Sequence, residues 1–513
     1  MTSASPNAAP GAAPPLPDAA ALPAYGEDSL ARLFAVLHGA RLRHVGAWRC
    51  WMAWDGARWR RDDQGLAFNL ARETCRIAAN GARDPARKGG NMSCVGELSA
   101  AGLFGMVERL ARSDPRVTAE PGLWDPDRDL LNTPAGIVDT RTGATAPHRA
   151  DAWITRITGT APAAPGTQCP LWYAFLDRIT AGDAALQTFL QRIAGYALTG
   201  HTGEHALFFA YGTGANGKST FITTLMRVLG DYAEAAPIET FVARSRHGLA
   251  ADLARLGAAR LVTAHETEDG RPWAEARIKT LTGGDPVAGR SRRQGGATFT
   301  PRFKLLFAGN RTPTLSGVDE AMRRRFHLLP FAVTIPEAER DPALLDRLVP
   351  EHPAILRWAI DGALLWRAVG LAPPDAVRQA TRLYLDAEDT FGLWLHDCAE
   401  AARRAWTSSS DLYASWKAWA QAHGETVGSQ KRLGQLLQAR GFETKRLPGG
   451  NRGFGGLRLM PPTPAAAGAR ENNASDASQR VTTALADSST SHCSLNGIRH
   501  SGPAAPVNGT RLT

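Results

Sequence analysis

At 513 residues the chain is long enough for about three domains, and a formal charge of +10 with a pI near 9.6 suits an acidic polymer as partner. No run approaches about 18 consecutive apolar residues, so no membrane-spanning helix is expected. Cys50, Cys75, Cys94, Cys169, Cys398 and Cys493 are dispersed without a C-x-x-C pair, which argues against a zinc ribbon and a disulfide framework.

Residues 1–24 are Ala/Pro-rich and residues 461–513 mix Pro, Ala, Ser, Thr and Asn, so both ends are expected to be disordered. The start also lacks the basic and apolar regions of a signal peptide, and a cytoplasmic location is expected. Residues 25–165 read as an N-terminal α+β module. Within it Trp48, Trp51, Trp54 and Trp59 surround Asp55-Gly56, a hairpin-turn dipeptide. These rings read as core and hairpin packing, with a base-stacking platform as the alternative. Asp139 and His148 show no metal-ligand spacing and read as structural. In residues 166–204, Leu171, Phe175, Ile179, Leu186, Phe189, Leu190 and Ile193 recur at helical spacing and predict helices packing on the segment that follows.

Residues 205–335 carry the chemistry. Ala206 to Tyr211 is a buried-strand pattern, and Ile222, Leu225, Met226 and Leu229 repeat at helical spacing before Gly230. Between them Gly212, Thr213, Gly214, Ala215, Asn216, Gly217, Lys218 and Ser219 fit G-x-x-x-x-G-K-[ST], with Thr220 next. In that pattern glycines let backbone N–H groups close around phosphates on a helix N-terminus, and the lysine and hydroxyl complete the site. Leu261 to Ala264 is a short strand running into Glu266 and Glu268, carboxylates placed to hold Mg²⁺ or orient an attacking water, with Glu266 preferred for the metal shell. From Arg271 to Lys304 there are eight basic and two acidic side chains, including Lys279, Arg290, Arg292 and Arg293, a density suited to tracking phosphates without reading sequence. Phe303 to Ala308 is another buried strand, and Asn310 just past its end could touch a γ-phosphate or the attacking water. Arg323, Arg324 and Arg325 then stand in a row before Phe326. One of them given to a neighbour's γ-phosphate would stabilise transition-state charge, and Arg324 and Arg325 are the candidates.

Residues 336–400 read as helical. Residues 401–460 give two helices, with Leu412, Trp416 and Trp419 in the first and Leu433, Leu436 and Leu437 in the second, then a Gly-rich two-strand pattern. This resembles a winged helix, in which Lys431 and Arg432 lie near a DNA backbone and Lys445, Arg446 and Arg452 in the wing. A packing module with a solvated basic face is the alternative. Only seven of the 59 basic residues are lysines. Lys218, Lys279 and Lys304 fall in the segment 205–335 and Lys417, Lys431 and Lys445 in the basic C-terminal module, so they mark candidate sites.

The blocks YGTGANGKST, HETEDGRPWAEARIKTLTGGDPV, TFTPRFKLLFAGNRTP and VDEAMRRRFHLLPF, in this order, closely resemble superfamily 3 helicases, in particular the C-terminal helicase of the phage and plasmid primase family. The resemblance implies a P-loop, AAA+-like α/β core between an N-terminal α+β module and a winged-helix-like domain. It also implies a homo-hexamer that uses ATP and Mg²⁺ to move along single-stranded DNA and unwind forked DNA. By the same likeness Lys218 and Ser219 contact nucleotide and Mg²⁺, Glu266 is the catalytic acid, Asn310 the sensor, and Arg324 or Arg325 the arginine finger, while a hairpin between the acidic and sensor strands faces the channel. The family's primase domain has no counterpart before this motor, so primer synthesis is not expected and a separate primase is a possible partner. The alternative reading is an origin-binding ATPase switch or helicase loader without unwinding activity.

Overall fold

In a computed structural model, the protein is described at residues 26–82, 101–243, 253, 255–265, 272–291, 295–313, 315, 318–425, 427–446 and 451–460. Its contacts divide the chain into two compact units, with the boundary between Arg378 and Gln379.

In the first unit, α1 (Glu27–His38), α2 (Leu66–Ala82) and α3 (Ala101–Ala111) enclose a core with Phe34, Leu42, Trp51 and Val107. An antiparallel meander adjoins them, made of β1 (Leu42–Val45), β2 (Cys50–Trp54) and β3 (Trp59–Arg61). Asp55 makes the β2–β3 turn by accepting the N–H groups of Ala57 and Arg58 at 2.9 and 2.8 Å, while Gly56 takes φ +100°. A second meander follows, β4 (Leu130–Thr133), β5 (Gly136–Asp139) and β6 (Ala144–Ala146).

Two helices, α4 (Pro170–Thr180) and α5 (Ala184–Leu198), lead into the central sheet. Asp183 caps α5 by accepting the N–H groups of Ala185 and Leu186. The sheet comprises β7 (Leu207–Tyr211), β8 (Ala233–Ala235), β9 (Leu261–His265), β12 (Lys304–Gly309) and β13 (Phe326–Pro330), all parallel, in the order β13-β7-β12-β9-β8. Both faces are covered, which explains why β7 and β12 are buried along their whole length, with apolar runs Leu207–Ala210 and Leu305–Ala308 rather than alternation. On one face Phe208, Ala210, Leu306 and Leu329 meet α4, α5, α6 (Lys218–Leu229) and α10 (His352–Val369). On the other, Phe209, Phe241, Trp273, Phe307 and Phe326 form an aromatic layer with neighbouring centroids 4.6–6.2 Å apart. Between β9 and β12 stand α7 (Glu275–Gly283) and an antiparallel hairpin, β10 (Val287–Ser291) with β11 (Gly295–Phe299). Short helices α8 (Glu320–Arg323) and α9 (Leu344–Arg347) flank β13, and α11 (Asp375–Glu388) spans the boundary.

The second unit runs α12 (Thr390–Cys398), β14 (Ala399–Ser408), α13 (Ser409–Ala422), α14 (Gln430–Ala439), β15 (Thr444–Arg446) and β16 (Arg452–Leu459). Its three strands pair antiparallel in the order β14-β16-β15 around Trp394, Trp416, Leu433, Leu437 and Phe454. The expected two-strand pattern therefore gains a third member, β14, in a segment to which the sequence reading assigned no strand. Among the described residues no helix is long and apolar enough to cross a membrane.

Candidate functional site

The site is built at the carboxyl edge of the parallel sheet, where ligands of open α/β sheets bind. The register sets Tyr211 level with Gly309, so the loop after β7 and Asn310 after β12 leave the sheet side by side. The chain turns the loop with left-handed residues at Gly214 (φ +109°), Ala215 (φ +48°) and Gly217 (φ +83°), and α6 begins at Lys218. Gly212 must be glycine for a different reason: a Cβ there would fall on Asn216 Nδ2 and on the Phe331 carbonyl.

Lys218 is the centre of the arrangement. Its ammonium donates to the Gly212 carbonyl at 2.7 Å, to Asn216 Oδ1 at 2.9 Å and to Asn310 Oδ1 at 3.2 Å. It is 5% exposed, and burial pushes its pKa down to about 8. Its three partners among the described residues are neutral oxygens, so a buried cation stands in the loop with no described acid bonded to it. Asn216 has two tasks, because its Nδ2 also donates to the Phe331 carbonyl at 3.1 Å, just beyond β13. The amide of Ile335 adds a bond to the Ala215 carbonyl at 2.8 Å. The loop is thus tied at two points to the segment that follows β13.

Thr213, Ala215 and Ser219 are exposed, Gly214 and Thr220 half-buried, and no side chain caps the N-terminus of α6. A Cβ on Gly214 would meet nothing within 4 Å. The donor set therefore fits a phosphate chain: backbone N–H groups of a helix start, one ammonium without an acid partner among the described residues, and the exposed Ser219 hydroxyl. For a metal, among the described residues no group of three or more His, Cys, Asp or Glu stands together. The exposed Ser219 hydroxyl would be a protein ligand for a Mg²⁺ that takes its other oxygens from phosphate and water. Glu266 and Glu268 lie outside the described residues.

The structure separates the two candidate arginines. Arg325 is buried, its Nη1 donates to the Ala321 carbonyl at 2.9 Å, and its own carbonyl accepts the Leu207 amide, which starts β13 against β7. Arg324 is exposed. Asp319, the N-cap of α8, accepts the Met322 amide and pairs with Lys279 of α7. Lys279, expected at a DNA surface, is thus an ion-paired strut between α7 and the arginine row. Arg290 lies in β10, with nothing described of its side chain, and Arg292 and Arg293 lie outside the described residues. Lys304 is 2% exposed: its ammonium caps the end of α5 through the Thr199 carbonyl, reaches the His201 and Arg302 carbonyls at 3.4 and 3.3 Å, and sits 4.7 Å from the Tyr196 ring centroid. Of the three lysines in this segment, Lys218 therefore stands in the loop before α6, Lys279 pairs with Asp319, and Lys304 is held by backbone carbonyls. An N-cap Asp followed by Glu in α8 was the sequence signal that could have revealed the Lys279 partner.

Elsewhere the tryptophans pack. Trp59 and Trp153 stack at 5.6 Å with the Arg43 guanidinium over both rings, and Trp51 donates to Glu108. Asp139 pairs with Arg141, and His148 bonds the Thr133 carbonyl. In the second unit Lys431, Arg432, Lys445, Arg446 and Arg452 are all exposed.

Residues 31–181 match the D5 N terminal like family, and residues 210–325 match a family of unknown function, DUF5906. One relative, from Frog virus 3 (isolate Goorha), is named "Putative helicase 022R" and is 24% identical over 276 residues. Another, from Acanthamoeba polyphaga mimivirus, is named "Putative helicase L207/L206" and is 24% identical over 266 residues. These matches support a D5-like primase-helicase family. The alignments take in 50% and 48% of this chain but only 28% of each relative. The apo structure of the NrS-1 C-terminal region overlaps 85% of this chain and 100% of its own, at 8% identity and a TM-score of 0.46.

Proposed function

We propose that the chain is an ATP-driven DNA helicase of viral or mobile-element replication, acting as a ring with nucleotide bound between subunits. The observation that carries this is Lys218, a buried ammonium whose partners among the described residues are neutral oxygens of the loop and of Asn310. A triphosphate supplies the missing anion, and the backbone amides at the start of α6 cradle it. Bound Mg²⁺, with Ser219 and Glu266 as its protein partners, would neutralise phosphate charge. Asn216 keeps Lys218 aimed while holding the loop to the end of β13. Asn310 shares Lys218 with the loop and so senses whether phosphate has drawn the ammonium away, and Glu266, with Glu268 behind it, orients the attacking water. Arg324 is the residue offered to the neighbouring subunit, because Arg325 is committed to its own helix. The β10–β11 hairpin, with Arg290, Arg292 and Arg293, follows the phosphates of single-stranded DNA as nucleotide turns over.

Lys218→Ala should abolish ATP hydrolysis and strand displacement on a forked duplex while DNA binding persists. Unwinding retained by that variant would refute the assignment. Hydrolysis by the wild-type protein with no strand displacement would point instead to an origin-binding switch or loader.

A further inference from the structure

Helix α7 is anchored at both ends. At its start the Ala274 amide donates to the Phe241 carbonyl at 2.8 Å, and the Arg277 guanidinium to the Thr240 carbonyl at 2.5 Å. Near its end His205 donates from Nδ1 to the Thr282 carbonyl at 3.1 Å. Ile278 and Leu281 turn into the core, while the Lys279 side chain stays partly exposed.

Helix α8, by contrast, is a single turn, too short to hold its own geometry, and Arg324 stands at its C-terminal end. Asp319 fixes that turn with both carboxylate oxygens. Its Oδ1 accepts the Met322 amide at 2.9 Å as the N-cap, and its Oδ2 accepts the Lys279 ammonium at 2.5 Å. The cap shapes the turn, whereas the ion pair ties it to a helix that is itself held by backbone. A second tie lies just past the end of α7: the Asp285 carboxylate and the Arg325 guanidinium both border Gly283, 3.2 and 4.0 Å from where a Cβ would stand. Met322 and Arg325 are buried and Arg324 is exposed, so the tied turn presents Arg324 outward.

From this geometry we infer that Lys279 is a positioning residue for the arginine given to the neighbouring subunit. Through Asp319 it sets where Arg324 stands, and so it acts on the neighbour's nucleotide rather than on its own or on DNA. This rests on the reading of Arg324 as the residue offered across the subunit boundary. An ion pair with one partner more than half exposed adds little to folding stability. Its weight lies in geometry, since a misplacement of about 1 Å in a group that meets the transition state can cost about a hundredfold in rate.

The test uses the full chain and sorts variants by mixing. Lys279→Met and Asp319→Asn, the second keeping an N-cap side chain, should each hold a thermal midpoint near wild type and lower ATP turnover about ten- to hundredfold. Lys279→Arg, whose guanidinium can keep the pair, should stay within about threefold. Mixed in equal amounts with Lys218→Ala, which brings an intact arginine row, Lys279→Met should recover to about a quarter of wild-type turnover, and mixed with Arg324→Ala it should not recover. Recovery with Arg324→Ala and none with Lys218→Ala would place Lys279 at its own subunit's nucleotide and overturn the inference. Unchanged turnover in both Lys279→Met and Asp319→Asn would also overturn it. The log–log salt slope of single-stranded DNA binding should match wild type, and a slope lower by about 1 in Lys279→Met would make this lysine a phosphate contact instead. The mixture of Lys218→Ala with Arg324→Ala is the reference. Its failure to recover would remove the shared-site reading and this inference with it, whereas its recovery beside a Lys279→Met and Lys218→Ala mixture that stays inactive confines the failure to Lys279.

Discussion

Lys218 owes its depressed pKa to burial, and the chemical consequence has a definite sign. Between about 8 and the ordinary value of 10.5 the unfolded chain holds a proton that the folded protein has released. The cost of burying the cation is therefore full below pH 8 and disappears as pH rises toward 10.5. On the proposed reading, nucleotide phosphates would bind the protonated form and raise its pKa. ATP affinity, measured by titration calorimetry between pH 7 and 9.5, should hold steady to about pH 8 and then fall, approaching about tenfold per unit. Lys218→Met should bind weakly with a flat profile, and a flat profile in the wild type would remove the ammonium from phosphate recognition. Lys304 shows how the same side chain can be used otherwise. The Thr199 and His201 carbonyls just past α5 and the Arg302 carbonyl surround it, and burial with Arg260 nearby holds its pKa far below the ordinary range.

Helices α5 and α10 approach closely enough that their glycines interlock. A Cβ on Gly195 would fall on the Ala363 amide, and one on Gly362 on the Gln191 carbonyl. Both obstacles are backbone, which cannot rotate away. Gly195→Ala is expected to cost about 1–3 kcal/mol as overpacking, visible as a lower urea midpoint with an unchanged m-value. An unchanged midpoint would show that the helices can part without loss. The contact matters for the site because α10 and α6 pack in the same core, below the phosphate loop. At the other end of α6, the segment after β6 straps the helix down: Gly159 donates to the Val228 carbonyl, and Asp231 to the Ile157 carbonyl, at 3.0 and 3.1 Å. The N-terminal module is thereby tied to the helix that begins at Lys218.

For the molecule as an assembly, the division of labour between an inward-facing lysine and an outward-facing arginine is decisive. Lys218→Ala keeps an intact Arg324 and Arg324→Ala keeps an intact loop, so each alone should be inactive. Mixed in equal amounts, random neighbours in a ring restore about one interface in four. ATP turnover by the mixture should therefore rise to about a quarter of the wild-type value. No recovery on mixing, with ring formation verified by sedimentation, would show that the arginine acts within its own subunit. Arg325→Ala is the control: its loss should lower thermal stability in every mixture, because that side chain is buried against Ala321.

Much of the central sheet and its loop was legible in order along the chain. The apolar strands ending at Tyr211, His265 and Gly309, the loop Gly212–Ser219 and Asn310 follow from local rules: uninterrupted apolar runs for a sheet covered on both faces, and glycines where backbone must approach phosphate. Periodicity likewise found α4, α5, α13 and α14. What local rules could not reach were partners distant in sequence. Lys279 with Asp319, Lys304 with the end of α5, Asn216 with the Phe331 carbonyl, and the burial of Arg325 beside an exposed Arg324 all arise where separate elements meet. Strand β14 escaped for the same reason, since AEAARRAWTS carries no strand pattern of its own and is extended because β16 pairs with it. Sequence supplies residue type and spacing, which fix what chemistry is present. Burial and long-range hydrogen bonding decide which copy of a repeated residue type performs it.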